Sequence, residues 1–230
     1  MKKLTAIFVC VLMLAVLSGS LTGVLPFATP ARPVQCCWAE AAERTRIALG
    51  DDERIRMSEF ISSFTEVEMF EIRHAVLELG YADLVYFGVM HNYMNNPELV
   101  KKIAGGKIAA QYRPTFTAIK KYFGVDADTG DMRLSATYKG TRFEYENETF
   151  VFDEPEPRKV WLARVDEAYR EDWTILIKGF IWNRDDPLEV RGNFWAYAQQ
   201  PDREGAGEWT LLAIHEGEHD GSPFWSGVTQ

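Results

Sequence analysis

Apolar positions recur along this chain at two periods, helical before residue 131 and alternating after it. Residues 42–63 are mixed and charged, and Asp51 or Asp52 is placed to cap a short helix running to about Phe60. From Phe64 to Ile72 the alternation is weak, as in a loop or edge segment. The clearest helix follows. Asp83 is the expected N-cap for Leu84–Asn95, a stretch apolar or aromatic at nearly every position, and a helix apolar all round is a buried one. Leu84, Phe87, His91 and Met94 fall on one of its stripes, and Pro97 follows closely enough to end it or begin another turn. Gly105-Gly106 breaks the chain, and a short run, Lys107–Gln111, leads to a second helix. Pro114 suits its first turn, Phe116, Ile119, Tyr122 and Phe123 form its apolar stripe, and Lys120 and Lys121 sit where they complement the dipole. Gly124 takes the C′ position.

Beyond Asp131, strands are expected over Arg133–Lys139, Arg142–Phe152, Arg158–Tyr169, Trp173–Trp182, Leu188–Gln199 and Trp209–His215. Trp173, Ile175, Ile177 and Ile181 share one face, as do Leu188, Val190, Phe194 and Ala196. The links between strands are short and turn-like (Lys139-Gly140, Asp153–Pro157, Arg170–Asp172, Asn183–Pro187 and Pro201–Gly207), which implies antiparallel neighbours, because parallel strands need long crossovers. Helices first and strands second give an α+β fold: N-terminal helices packed on a curved antiparallel β-meander sheet, in one domain spanning 42–230. The five tryptophans of the strand region read as core and sheet-face packing, with the alternative that some line a cavity.

The first 41 residues change the picture. Lys2 and Lys3 precede an almost wholly apolar or small run from Leu4 to Leu17, and no formal charge appears between Lys3 and Arg32. Basic start, apolar stretch and small residues are the parts of a signal peptide. Extended to Phe27, the run reaches the roughly 20 apolar residues that span a bilayer. Residues 1–41 are therefore read as a signal peptide or an N-terminal membrane anchor (residues 4–27), with the rest of the chain exported to a periplasmic or extracellular space. Cleavage is open after Ser20, Ala31 or Ala41. A lipid anchor is not expected, since Ser20 stands where the lipidated cysteine would be needed. Of the three cysteines, Cys10 lies in the apolar run, and Cys36 and Cys37 are adjacent, a strained arrangement for a disulfide. A cut after Ala41 leaves a domain without thiols.

Charge narrows the partners. The chain carries −9; Lys2, Lys3, Arg32 and Glu40 account for a net +2 within residues 1–41, so the remainder carries −11. Such a surface repels phosphates and anionic lipids, so no nucleic-acid partner is expected, and membrane contact is confined to the N-terminal segment if it stays uncleaved.

Phe64–Asn96, centred on the run from Phe87 to Asn96 (FGVMHNYMNN), and Ile119–Gly124 (IKKYFG), followed by Leu162-Ala163-Arg164-Val165, resemble a group of bacterial exported proteins that carries no assigned activity. The resemblance covers about two thirds of the chain. At fold level the element order is similar to NTF2-like and cystatin-like folds. NTF2-like domains include enzymes and binding modules with a pocket between sheet and helix, so the likeness implies a pocket without choosing its use.

His215-Glu216-Gly217-Glu218-His219 satisfies H-E-x-x-H, in which two histidines one helical turn apart bind zinc and the glutamate is the general base. The chemistry needs a helix: positions i and i+4 are about 6 Å apart on a helix but about 13 Å apart on a strand, and zinc-bound nitrogens lie within about 4 Å. Alternation through Ile214, Gly217, and the break at Asp220–Pro223 argue for a strand end, so His215, Glu216 and His219 are disfavoured as a metal site. His91 and Asn92, polar groups on an apolar helix, must satisfy their hydrogen bonds somewhere, and with Trp195 they are the candidate ligand-pocket residues. The bland alternative is a structural His91 bonded to backbone. Asp51–Glu53 and Asp185-Asp186 read as a helix start and a turn, Asp126–Asp131 lacks the glycine and glutamate of a calcium loop, and Asn147-Glu148-Thr149 fits a glycosylation acceptor. No cofactor is implied. The expectation is an exported binding or assembly domain for a small molecule or a protein, with an NTF2-like pocket enzyme and, behind it, a zinc-dependent hydrolase as alternatives.

Overall fold

The computed structural model describes residues 44–126, 133–200, 209–221 and 224. The signal or anchor segment with its three cysteines, most of the Asp126–Asp131 loop and the Pro201–Gly207 turn lie outside the described residues. Within them the chain is α+β with antiparallel sheets. Strand β1 (Thr45–Arg46) precedes α1 (Asp51–Thr65), α2 (Ala75–Glu78) and α3 (Tyr81–Asn95); β2 (Val100–Ile103) and β3 (Lys107–Gln111) come before α4 (Tyr112–Phe123). Strands β4 (Ala136–Tyr138), β5 (Thr141–Glu146), β6 (Thr149–Asp153), β7 (Trp161–Glu171), β8 (Thr174–Asn183), β9 (Asp186–Gln199) and β10 (Thr210–Glu216) follow.

The helices obey local chemistry with two shifts. Gly50, not Asp51 or Asp52, is the N-cap of α1; Asp51, Asp52 and Glu53 fill its first turn, where they complement the dipole. The helix runs to Thr65, beyond Phe60, because Met57, Phe60, Ile61 and Phe64 continue a buried stripe. In α3 the N-cap is Gly80, and Asp83, one turn in, accepts the Gly80 N–H at 2.8 Å. Every residue of α3 from Leu84 to Asn92 is buried, as a helix apolar all round requires. Gly124 ends α4 in the left-handed conformation at φ 67°. Gly88 lets α3 and α4 meet: a Cβ there would lie 2.6 Å from the Thr115 carbonyl oxygen.

The strands divide between two sheets, ordered β1-β7-β8-β9-β10 and β2-β3-β6-β5-β4. The hairpin β2–β3, turned by Gly105 and Gly106 at positive φ, supplies the pairing partner of β6. The stretch expected as one strand over Arg142–Phe152 is the hairpin β5–β6, reversed at Asn147 and Glu148, both at positive φ. Pro155 and Pro157 separate the sheets. The four long strands β7 to β10 form the meander. Two face assignments are corrected. Trp173 lies in the β7–β8 turn, 46 % exposed, while Ile175, Ile177 and Ile181 are buried. Leu188 and Val190 are exposed while Phe194 and Ala196 are buried, because β10 pairs with β9 only from Phe194 onward.

The outer edge of β7 is closed in two parts. β1 pairs with its C-terminal half at Tyr169 and Arg170. Along the N-terminal half, α1 replaces a strand with side-chain hydroxyls. Ser58 Oγ accepts the Val165 N–H at 3.0 Å, Ser62 Oγ accepts the Ala163 N–H at 2.9 Å, and Thr65 Oγ1 donates to the Trp161 carbonyl at 2.7 Å. Positions 58, 62 and 65 lie on one helical stripe, and 165, 163 and 161 point to one edge of the strand. A sheet edge is thereby covered by a helix whose hydroxyls take up backbone groups that a strand would otherwise pair. Residues from α1, α3, α4 and both sheets share one continuous core.

Candidate functional site

A cleft of about 1100 Å³ opens between α1, α3 and α4. From α1 come Glu53, Arg56, Phe60 and Ser63, spaced to share one helical face. The last turn of α3 and its cap contribute His91, Asn92, Asn95 and Asn96. Arg113, Thr117 and Lys121 form a polar row on α4, at i, i+4 and i+8, beside Tyr122. Leu162 of β7 and Trp209, just before β10, complete the wall. The sequence places these groups because α1 and α4 bury one stripe in the core and turn a polar row to the cleft, while α3 adds the polar end of an otherwise apolar helix.

His91 is 7 % exposed and Asn92 is 2 % exposed, yet both reach the cleft. The His91 ring stacks on Phe87 at 5.6 Å and meets the edge of Tyr122 at 4.8 Å. Burial, aided by the positive charge of Lys121, lowers its pKa to about 4, so the imidazole is neutral near pH 7. Asn95 Nδ2 donates to Glu66 Oε2 at 2.9 Å and lies 3.3 Å from His91 Nδ1. With that amide donating to Nδ1, the ring proton sits on Nε2, for which no described residue provides an acceptor. Burial also raises the pKa of Glu66, against the hydrogen bond from Asn95. Asn92 Oδ1 accepts from Asn96 Nδ2 at 3.1 Å, whereas the buried Asn92 Nδ2 has no partner among the described residues. His91 is thus bonded to a side chain, not to a backbone carbonyl. The cleft ends aromatic on one side: Trp209 meets Phe60 edge-on at 5.8 Å, and Phe60 stacks on Tyr122 at 6.0 Å.

His91 and Asn92 therefore lie together in the cleft, and Trp195 does not. It belongs to a separate cluster on the meander face that carries Leu176, Tyr197 and Leu212. There Trp195 stacks on His215 at 4.4 Å and meets His219 edge-on at 4.9 Å. His215 and Glu216 are the last residues of strand β10, and Gly217 at φ 107° turns the chain, so the helix that H-E-x-x-H needs is not formed. Both histidines are engaged elsewhere. His215 Nδ1 lies 2.8 Å from Glu71 Oε2. His219 Nδ1 accepts the Gly221 N–H at 3.0 Å, leaving Nε2–H to donate to the Tyr197 hydroxyl at 3.3 Å. Burial, then the charge of Arg44, lowers the His219 pKa. Tyr197 donates in turn to the buried Glu171 at 3.0 Å, which Arg44 Nε also binds at 2.9 Å. Burial and the Glu171 charge raise the Tyr197 pKa far above its usual range. Among the described residues no group of three or more His, Cys, Asp or Glu side chains is arranged to hold a metal ion.

Sequence reading missed the α1 and α4 walls and, among the five tryptophans considered for a cavity, singled out Trp195 rather than Trp209. The signals were present: asparagines at 92, 95 and 96 crowding the end of an apolar helix, and the polar row 113, 117, 121 on α4. Each alone reads as a solvated face. Compared with protein-family models, curated proteins and solved structures, the chain matches none.

Proposed function

We propose that residues 42–230 are an exported binding domain that takes a small polar molecule in the cleft between α1, α3 and α4. The observation that carries this reading is the Asn92 amide: the residue lines the cleft, is 2 % exposed, and its buried Nδ2 donor has no partner among the described residues. A buried donor without a partner costs about 1–3 kcal/mol. A fold that keeps such a group beside an open cleft holds it ready for a ligand acceptor. His91 supports binding over proton transfer: its Nδ1 is engaged by Asn95, so it presents an N–H donor rather than a lone pair. The NTF2-like resemblance agrees with a pocket beside the helices, and Lys2, Lys3 and the uncharged run after them support export.

The test is a mixture screen of soluble metabolites read by NMR on the labelled protein. Binding is expected to shift the Asn92 side-chain amide and the His91 ring. Compounds that bind while leaving both signals in place would refute the cleft reading. The mass of the mature N-terminus checks export: an intact Met1 in exported protein means an anchor, and a cut at Ser20, Ala31 or Ala41 means a signal peptide.

A further inference from the structure

The chemistry of the cleft also selects a ligand class. We propose that the cleft binds a neutral polyhydroxylated ligand, a saccharide, with its hydroxyls on the asparagine and His91 groups and a ring face against Trp209. This rests on the cleft being the binding site.

Charge is the first reason. Glu53, Glu59 and Glu66 line the cleft together with Arg56, Arg113 and Lys121, three acids and three bases. No excess of either sign selects an ion. The most buried polar groups of the lining are uncharged: the Asn92 amide, the Ser62 and Ser63 hydroxyls, the latter 3.0 Å from Tyr122 Oη, and a His91 held neutral by burial.

Hydrogen-bonding capacity is the second. Asn92 Nδ2 and His91 Nε2–H offer donors, and the exposed Glu59 carboxylate has no partner among the described residues and offers acceptors. A sugar hydroxyl both donates and accepts, so a set of neighbouring hydroxyls matches a wall that does both. A carboxylate or phosphate would satisfy the donors alone, and the three acids would offset the attraction of the three bases for it.

Shape is the third. Trp209 stands half-buried at the cleft, set edge-on to Phe60, and the Phe60–Tyr122 stack continues the apolar side. An aromatic face beside hydrogen-bonding side chains suits a ring with apolar C–H faces and a polar rim. A wholly apolar ligand would strand the asparagine row.

Isothermal titration and NMR on the full chain would use glucose and N-acetylglucosamine as free sugars, maltotriose and chitotriose as glycan segments, and phosphate and citrate as ionic controls. At least one sugar is expected to shift the Asn92 amide and the Trp209 indole signals, with an affinity that does not change between low and high salt. Trp209→Leu is expected to weaken that binding roughly tenfold, and Asn92→Ala by about three- to tenfold. The Trp209 variant keeps the test open should Asn92→Ala fold poorly. Stronger binding by trisaccharides than by single sugars assigns a glycan chain, and equal binding assigns a free sugar. Ions shifting the cleft signals while no sugar does would overturn the saccharide class and leave the cleft as the site. Silence of those signals toward every probe would remove both.

Discussion

Replacing Ser62 with alanine removes one hydroxyl from the row by which α1 closes the edge of β7. Ser62 Oγ accepts the Ala163 N–H at 2.9 Å, and both residues are buried, at 9 % and 5 % exposure. Alanine leaves that N–H facing a methyl group at a buried position. An unmet buried donor costs about 1–3 kcal/mol, and the better helix propensity of alanine returns about 0.5 kcal/mol. The net loss is then about 0.5–2.5 kcal/mol. For a domain of this size each kcal/mol lowers Tm by about 2–4 °C, so a fall of about 1–10 °C is expected. Ser58→Ala acts at a half-buried position where water replaces the hydroxyl, and should cost less than about 1 kcal/mol. Calorimetry measures the loss, and amide hydrogen exchange locates it: protection of the Ala163 amide should fall in Ser62→Ala. An unchanged Tm together with unchanged exchange at Ala163 would refute the idea that helix hydroxyls stand in for a missing strand.

Three further outcomes follow from the same structure. The His91 pKa is lowered from 6.5 to about 4 in the fold, so the unfolded chain binds a proton first as pH falls; stability is full above pH 6.5 and declines toward pH 4, by about 2 kcal/mol at pH 5. Denaturant titrations at pH 7 and pH 5 should show a shallower decline in His91→Gln, and a decline identical to that of the parent protein would count against this. Gly88→Ala would drive a methyl group to 2.6 Å from the Thr115 carbonyl, pushing α3 from α4 and lowering stability by about 1–3 kcal/mol, measurable as the denaturant midpoint. Arg44→Met strips the ion partner from the buried Glu171 and should cost about 2 kcal/mol, less than a fully buried pair because Arg44 is 24 % exposed; adding Glu171→Gln should recover part of the loss.

Much of the local structure was legible because its causes are local. Pro114, the stripe Phe116, Ile119 and Phe123, and the left-handed Gly124 define α4 within a dozen residues. Lys139-Gly140 marks its hairpin because both residues adopt positive φ. The unbroken apolar run of α3 announces a helix buried on every side. The α+β class follows from the change of period near residue 131.

Tertiary structure decided what depends on partners distant in sequence. The hairpin β2–β3 is short and lysine-rich, and it becomes part of a sheet only because β6 pairs with it some forty residues later. Ser58, Ser62 and Thr65 read as ordinary helix polar residues until the edge of β7 lies about one hundred residues away in sequence and a hydrogen bond away in space. Leu188 and Val190 alternate like core positions, but alternation carries no information on how far a neighbouring strand extends. The cleft follows the same rule. His91 and Asn92 stood out as polar groups on an apolar helix, whereas Arg56, Lys121 and Trp209 gained their place only when three helices and a strand end converged. Periodicity along one element says which face is buried, and only packing between elements says which polar faces come together.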